Sequence, residues 1–105
     1  MSSEVVRPRD VVRRERSRIV AFLTERGARD VHLFGSAARG EDTDRSDIDL
    51  LVDLDGDRSP GAELLEVLGL SEELTALLNA RVDVVTARTL RPEVREPVLA
   101  EAVPL

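Results

Sequence analysis

The chain has 105 residues, of which 42% are hydrophobic, and it carries a formal net charge of −6. This length is that of one folded domain, and this composition excludes an intrinsically disordered chain. The absence of cysteine excludes disulfides, thiolate metal ligands and cysteine nucleophiles, and it fits a reducing compartment. No apolar stretch approaches the roughly 20 residues that a membrane span needs. We therefore predict a single domain over residues 1–105, located in the cytoplasm and away from membranes.

The charge is distributed unevenly along the chain. Residues 1–40 carry a net charge of +4, whereas residues 41–105 carry −10. A protein with this overall balance is a poor non-specific binder of nucleic acid. All 15 basic residues are arginines, so any phosphate contact from a cationic side chain must come from arginine. A dense acidic stretch suggests metal ions.

Hydrophobic spacing predicts four helices and three strands in a defined order. In chain order they are a helix over 10–26, a strand over 31–34, a short helix starting at 35–36, a polar loop over 41–46, a strand over 48–54, a turn over 55–61, a helix over 62–78, a strand over 82–86 and a helix over 92–102. This order predicts an α+β fold, an α/β sandwich in which helices cover one face of a small sheet.

Two details of the later helices follow from particular residues. In the helix over 62–78, a break is predicted near 69–71, and the buried face is predicted to consist of leucines: Leu64, Leu65, Leu68, Leu74, Leu77 and Leu78. Pro97 is predicted to divide or shorten the last helix, because proline lacks the N–H that a helix interior uses.

Asp47 and Asp49 form the first part of a candidate site. Side chains alternate between the two faces of a strand, so Asp47 and Asp49 share one face while Ile48 points to the other. Two carboxylates that lie several ångströms apart repel each other, and a cation or protonation must relieve that repulsion. Mg²⁺ prefers one or two carboxylates together with substrate phosphates. The pair therefore predicts a site for a magnesium-bound nucleotide.

Gly35 and Ser36 form the second part, at a turn from a strand into a helix. Such a turn exposes backbone N–H groups that bind phosphate. Glycine permits a close approach, and serine adds a hydroxyl donor. Arg39 follows one turn later, and its planar guanidinium suits phosphate oxygens. Arg39 has a second interpretation, an ion pair with nearby acids: Glu41, Asp42 or Asp44.

Asp83 is the third part, because it is the polar residue within an otherwise apolar strand. A lone buried carboxylate is costly. If this strand lies beside the strand over 48–54, Asp83 completes a cluster of three carboxylates, which supports two-metal phosphoryl transfer. Alternatively, Asp83 lies on an edge strand and faces water.

Together these motifs resemble a known family. Gly35-Ser36, ten further residues and then Asp47-x-Asp49 resemble the signature of the DNA polymerase β-like nucleotidyltransferases. The longer strings over 34–40 and 46–52 resemble the minimal nucleotidyltransferases, and this likeness extends to Glu101-Ala102-Val103. The resemblance implies a nucleotidyltransferase fold with a small mixed sheet. It also implies that Asp47, Asp49 and Asp83 bind two Mg²⁺ ions and carry catalysis, with Gly35 and Ser36 on the triphosphate.

The resemblance also implies a function. Minimal nucleotidyltransferases are often encoded beside a helical HEPN ribonuclease toxin, and characterised ones act as antitoxins that transfer AMP from ATP to a tyrosine of the toxin. The implied partners are thus a nucleoside triphosphate and a HEPN-type toxin, in a homo- or hetero-oligomer.

Two other functions stay open at this point. The chain could be a non-catalytic module that neutralises a toxin by occlusion, and its acids would then be idle. It could also modify a small molecule of the aminoglycoside class. The short chain argues against that second alternative, because no further domain is present to form the acceptor pocket.

Overall fold

The computed structural model describes residues 6–105, so residues 1–5 of the predicted domain lie outside the described part. Its helices and strands, in chain order, are α1 (Pro8–Glu25), β1 (Ala28–Phe34), α2 (Gly35–Arg39), β2 (Ile48–Leu54), α3 (Pro60–Leu78), β3 (Val82–Val85), α4 (Pro92–Glu101) and β4 (Val103–Pro104). The bounds of β2 are those predicted. β1 begins three residues earlier than predicted, and β4 is a short strand that the sequence pattern did not indicate.

The four strands form one mixed sheet in the order β3–β2–β1–β4. β1 is antiparallel to both β2 and β4, whereas β2 and β3 are parallel. The predicted α+β fold with a small mixed sheet is therefore confirmed. The parallel pair matters for the site, because it places residues of β3 in register with residues of β2.

One face of the sheet carries the hydrophobic core. Ile48, Leu50, Val52 and Leu54 of β2 are buried in one cluster with side chains of α1 and α3. The period of two along a strand explains this arrangement, since every second side chain points to the same face. Leu51, on the other face, is buried as well. The other face receives the polar residues of the same strand.

The predicted buried face of α3 is wrong in part. Leu64, Leu65 and Leu68 are exposed, at 48%, 72% and 51% of their surface. The residues that α3 buries are Glu63, Val67, Leu70 and Leu74, at helical spacings of four, three and four. Leucine is so frequent in this helix that its positions alone do not identify the inward face. Leu74 is buried as predicted, and Leu77 and Leu78 are partly buried against the core.

The predicted break near residues 69–71 is absent from α3, which runs unbroken from Pro60 to Leu78. Ser71 explains the continuity in part. Its hydroxyl donates to the carbonyl of Val67 at 2.7 Å and accepts the N–H of Val84 at 2.8 Å. The helix is thereby fastened to the outer edge of β3, and these bonds satisfy backbone groups that an edge strand leaves unpaired.

Pro97 does not divide α4, which continues to Glu101, one residue short of the predicted end. No residue of α4 is buried. The helix begins beside the turn that follows β3, where Arg95 donates to the carbonyls of Ala87 and Leu90 at 2.7 and 3.2 Å. Within residues 6–105, no helix is long and apolar enough to cross a membrane.

Candidate active site

Asp47 and Asp49 lie where β2 begins, on the face of the sheet that points away from α1 and α3. Ile48 and Leu50, on the other face, are fully buried. Asp49 is half-buried, and the negative charge of Asp47, two residues earlier, contributes to raising the pKa of Asp49. Arg81 approaches Asp47, with its Nε atom 3.7 Å from Oδ1. The sequence prediction that both carboxylates share one face is consistent with this arrangement.

β3 places Asp83 directly beside Asp49. The two residues are register partners in the parallel pair of strands. Asp83 is also an exposed residue of an edge strand, as the second interpretation predicted. Both features hold at once, since the face that Asp83 shares with Asp49 is open to solvent.

The carboxylates are close enough for their charges to act on one another. Burial, together with the negative charges of Asp83, Asp47 and Glu101, raises the pKa of Asp49 to about 6. The positive charge of Arg39 acts in the opposite direction. Burial, followed by the charge of Asp47, also raises the pKa of Asp83. The cluster is therefore short of positive charge.

Gly35 lies at the turn between β1 and α2, next to Asp49. Its φ angle is +76°, in the left-handed region that favours glycine. A Cβ atom at this position would lie 3.2 Å from Asp49 Cγ and closer still to its Oδ2 oxygen. Phe34, the residue before the glycine, is the register partner of Asp49. The turn that carries Gly35 and Ser36 is therefore pressed against the carboxylate cluster.

Arg39 ends α2 and forms ion pairs with two glutamates. Its Nε atom lies 2.7 Å from Glu41 Oε1, and its Nη1 atom lies 3.0 Å from Glu101 Oε2. The predicted alternative of pairing with Glu41 is thus confirmed. Asp42 instead accepts the backbone N–H of Arg9 at 3.0 Å.

Glu101 belongs to this site, although the sequence prediction gave it no role. Its Oε1 atom accepts the backbone N–H of Gly35 at 3.0 Å. That hydrogen bond lowers the pKa of Glu101, as does the nearby charge of Arg39. Glu101 is 66 residues from Gly35, so no local pattern connects the two. The only signal was its place in the closing string that shares the family likeness.

A pocket of about 260 Å³ lies on the same open face of the sheet. It is lined by His32, Leu51 and Leu99, among others, with Arg88 at its wall. Leu51 is two residues beyond Asp49 along β2, so the pocket adjoins the carboxylate cluster. Asp47, Asp49 and Asp83 do not line this pocket, so its space lies further along β2 than the acids.

The carboxylates fit a divalent cation by their chemistry. They are oxygen ligands that repel one another, and a bound cation would relieve that repulsion. Across residues 6–105, no three histidine, aspartate or glutamate side chains are arranged so as to hold a metal ion by themselves. Substrate phosphates commonly supply the remaining ligands of Mg²⁺, so the metal role of these acids stays a prediction.

Comparison with known proteins gives three related findings. The sequence profile described as "Nucleotidyltransferase domain" matches residues 13–105. The chain is similar to the protein adenylyltransferase MntA of Thermococcus cleftensis, with 43% identity over 82 residues, which cover 77% of this chain and 79% of the relative. It is also similar to a solved structure of a candidate minimal nucleotidyltransferase, with 41% identity, a TM-score of 0.74 and coverage of 92% and 95% of the two chains.

A second solved structure extends the comparison to an assembly. A chain in a crystal structure of a mutant of the toxin–antitoxin MntA–HpeT is 25% identical to this chain, with a TM-score of 0.66. The match covers 86% of this chain and 70% of that one.

Proposed function

This chain belongs to the nucleotidyltransferase domain family, and from that premise we propose that it transfers AMP from ATP to a protein partner. The proposed acceptor is a hydroxyl group of a helical HEPN-type toxin, which makes this chain the antitoxin of the pair. The single observation that carries the proposal is that Asp83 lies beside Asp49 on one open face, against the glycine turn at Gly35.

The chemistry assigns a role to each part of the site. The acceptor hydroxyl oxygen forms a bond to the α-phosphorus of ATP, the bond from that phosphorus to the bridging oxygen breaks, and pyrophosphate leaves. The hydroxyl proton passes to a carboxylate of the cluster. Gly35 and Ser36 donate to the triphosphate through backbone N–H and hydroxyl groups, and Arg39 contributes a positive charge beside them.

Asp47, Asp49 and Asp83 are the residues that would hold Mg²⁺, as two ions with the triphosphate. When bound, the ions neutralise the charge that develops on the phosphate oxygens. The raised pKa of Asp49 supports this role, because a half-buried carboxylate among other acids gains most from a nearby cation. Binding has a readout besides activity: Mg²⁺ should raise the melting temperature of the wild-type protein more than that of Asp49→Asn.

The acceptor half of the site is proposed to come from the partner. The open face carries the acids and one modest pocket, which suits a side chain that is presented by another protein. The relative named MntA is called a protein adenylyltransferase, and a chain of similar fold occurs in the toxin–antitoxin MntA–HpeT. These names support a toxin as the acceptor for this chain.

The direct test is an adenylylation assay with the purified toxin partner, Mg²⁺ and ATP, read by intact-protein mass spectrometry. Wild-type protein should add AMP to the partner. Asp47→Asn and Asp49→Asn should lower the rate more than about 100-fold, since even groups that only support metal ligands cost 10- to 100-fold. Asp55→Asn is the matched control, because Asp55 is an exposed carboxylate just beyond the same strand, paired with Arg29.

The same variants separate catalysis from occlusion. In cells that express the toxin, the two Asn variants should fail to restore growth although they still bind the toxin in a pull-down. If they restore growth as well as wild type does, the protein neutralises its partner by binding alone. Absence of AMP on a partner that is bound to the wild-type protein would refute the enzymatic proposal.

A further inference from the structure

Glu101 places a carboxylate on the donors that the proposed function assigns to the nucleotide. Its Oε1 atom accepts the Gly35 N–H at 3.0 Å, and both of its oxygens accept from Arg39 Nη1, at 3.3 and 3.0 Å. One backbone N–H and one guanidinium N–H thus converge on a single anionic group. A phosphate group would use the same two donors, because it too is an anion with several acceptor oxygens.

The carboxylate and a phosphate cannot share this position. A phosphate on the Gly35 N–H would place its negative charge beside that of Glu101. The charge of Glu101 already contributes to raising the pKa of the nearby Asp49. Like charges at contact distance without a counter-ion are strongly unfavourable. Arg39 is the nearby positive charge, and it is already engaged by Glu41 and Glu101. Phosphate binding therefore requires Glu101 to leave.

The backbone around Glu101 is held on both sides, whereas its side chain is held by the Gly35 N–H and by Arg39. On one side, β4 pairs with β1 through Val103 and Leu33, and Leu105 donates its N–H to the Val31 carbonyl at 3.0 Å. On the other side, the N–H of Ala102 donates to the Val98 carbonyl at 2.9 Å. The Glu101 side chain itself is only partly buried. Exchange with phosphate thus needs a change of side-chain rotamer and no departure of α4.

We propose that Glu101 is an internal competitor for the nucleotide triphosphate, which occupies the Gly35 and Arg39 donors until ATP displaces it. This inference rests on the proposed function, because it takes the phosphate position from there. Glu101 then sets the affinity for ATP and favours release of pyrophosphate, without a part in the bond-making step. Glu101 therefore acts on nucleotide binding through the phosphates and not through the base.

The test compares Glu101→Gln with wild type by isothermal titration calorimetry of ATP in the presence of Mg²⁺. Glutamine keeps an oxygen that accepts the Gly35 N–H, so the fold is retained, but it removes the competing charge. We expect ATP to bind about tenfold more tightly, which corresponds to about 1.4 kcal/mol. The KM for ATP should fall while kcat changes less than twofold. Inorganic triphosphate should show the same gain as ATP, and adenosine should show none.

Glu96→Gln is the matched control, because Glu96 is an exposed glutamate of the same helix and its replacement changes the net charge equally. Its affinity for ATP should equal that of wild type. Equal or weaker ATP binding by Glu101→Gln, with the wild type binding normally, would overturn the inference and leave the proposed function intact. If neither wild type nor Glu101→Gln binds ATP although both are folded, the proposed function itself fails. An increase in adenosine affinity would show a general loosening of the site, and this would also overturn the inference.

Discussion

The two faces of β2 differ in the side chains that they carry and in what covers them. Ile48, Leu50 and Val52 point toward α1 and α3, and all three are buried in the core cluster. Asp49 and Asp53 alternate with them along the same strand and point away from that core. One face is therefore a packing surface, and the other carries charge beside the glycine turn.

This difference shows how the strand separates stability from function. On the covered face, a side chain is selected by volume and shape, since the interior is closely packed. On the open face, acids are placed near one another where repulsion costs stability, and such sites are typical of function. Substitutions on the covered face should therefore lower the free energy of unfolding, whereas replacing an acid of the cluster on the open face should raise it.

The largest effect is expected on the covered face. Leu50→Ala should lower the free energy of unfolding by about 3 kcal/mol, because Leu50 is fully buried and its truncation leaves a cavity. Urea unfolding followed by circular dichroism measures this change. Leu65→Ala is the matched control, since Leu65 is 72% exposed and should change stability by less than about 0.5 kcal/mol. Equal losses for the two variants would contradict the assignment of the inward faces.

The next largest effect is expected at Gly35, where the turn contacts the open face of β2. Gly35→Ala should cost about 2 kcal/mol, because alanine is strained at a φ of +76° and its Cβ would press on Asp49. Gly69→Ala is the control with the same change of residue. Gly69 lies in α3 with open space around it, so alanine should stabilise that helix by up to about 1 kcal/mol.

A double substitution separates the two causes at Gly35. If contact with Asp49 contributes, Gly35→Ala should cost less in an Asp49→Ala background than in wild type. Additive losses would mean that backbone strain alone accounts for the cost, and the close approach of the turn to the acid cluster would then be without energetic consequence.

Local patterns predicted the strands better than the site. The bounds of β2 follow from its alternation, and the pairing of Asp47 with Asp49 on one face follows from the same period of two. The position of Asp83 next to Asp49 depends on the parallel pairing of β2 and β3, which no local sequence pattern specifies. The register of the two strands brings Asp83 beside Asp49, and the assembly of all three acids into a metal site stays a prediction.

Features that depend on distant contacts were missed for a physical reason. Glu101 contacts Gly35 across 66 residues, and β4 forms because Val103 and Pro104 pair with the free edge of β1. Neither depends on a periodic pattern. The inward face of α3 was misjudged because its exposed leucines, Leu64 and Leu65 among them, look like core residues by type alone. Composition cannot distinguish the two sides of a helix that is apolar on both.

The smallest effect is expected on the open face, and its sign is opposite. The pKa of Asp49 lies at about 6 in the folded chain and at 3.8 in the reference state. Ionisation is therefore harder in the folded protein, so Asp49 costs stability above pH 6, and this cost disappears as the pH falls through 6 to below 3.8. Asparagine cannot ionise. Asp49→Asn should thus stabilise the metal-free protein at pH 7.5 and have little effect at pH 3.5.

The size of that gain follows from the shift and the exposure of the side chain. The rise of the Asp49 pKa from 3.8 to about 6 corresponds to roughly 3 kcal/mol, and solvent screening of a half-exposed carboxylate reduces this to about 1 kcal/mol. Urea unfolding in EDTA at pH 7.5, 5 and 3.5 measures the difference between the variant and wild type. Asp53→Asn, on the same face but paired with Arg29, should stay within about 0.5 kcal/mol. A gain for Asp49→Asn that is the same at every pH would show that the ionisation of Asp49 is not its cause, and the two faces of β2 would then differ in polarity but not in what they cost the fold.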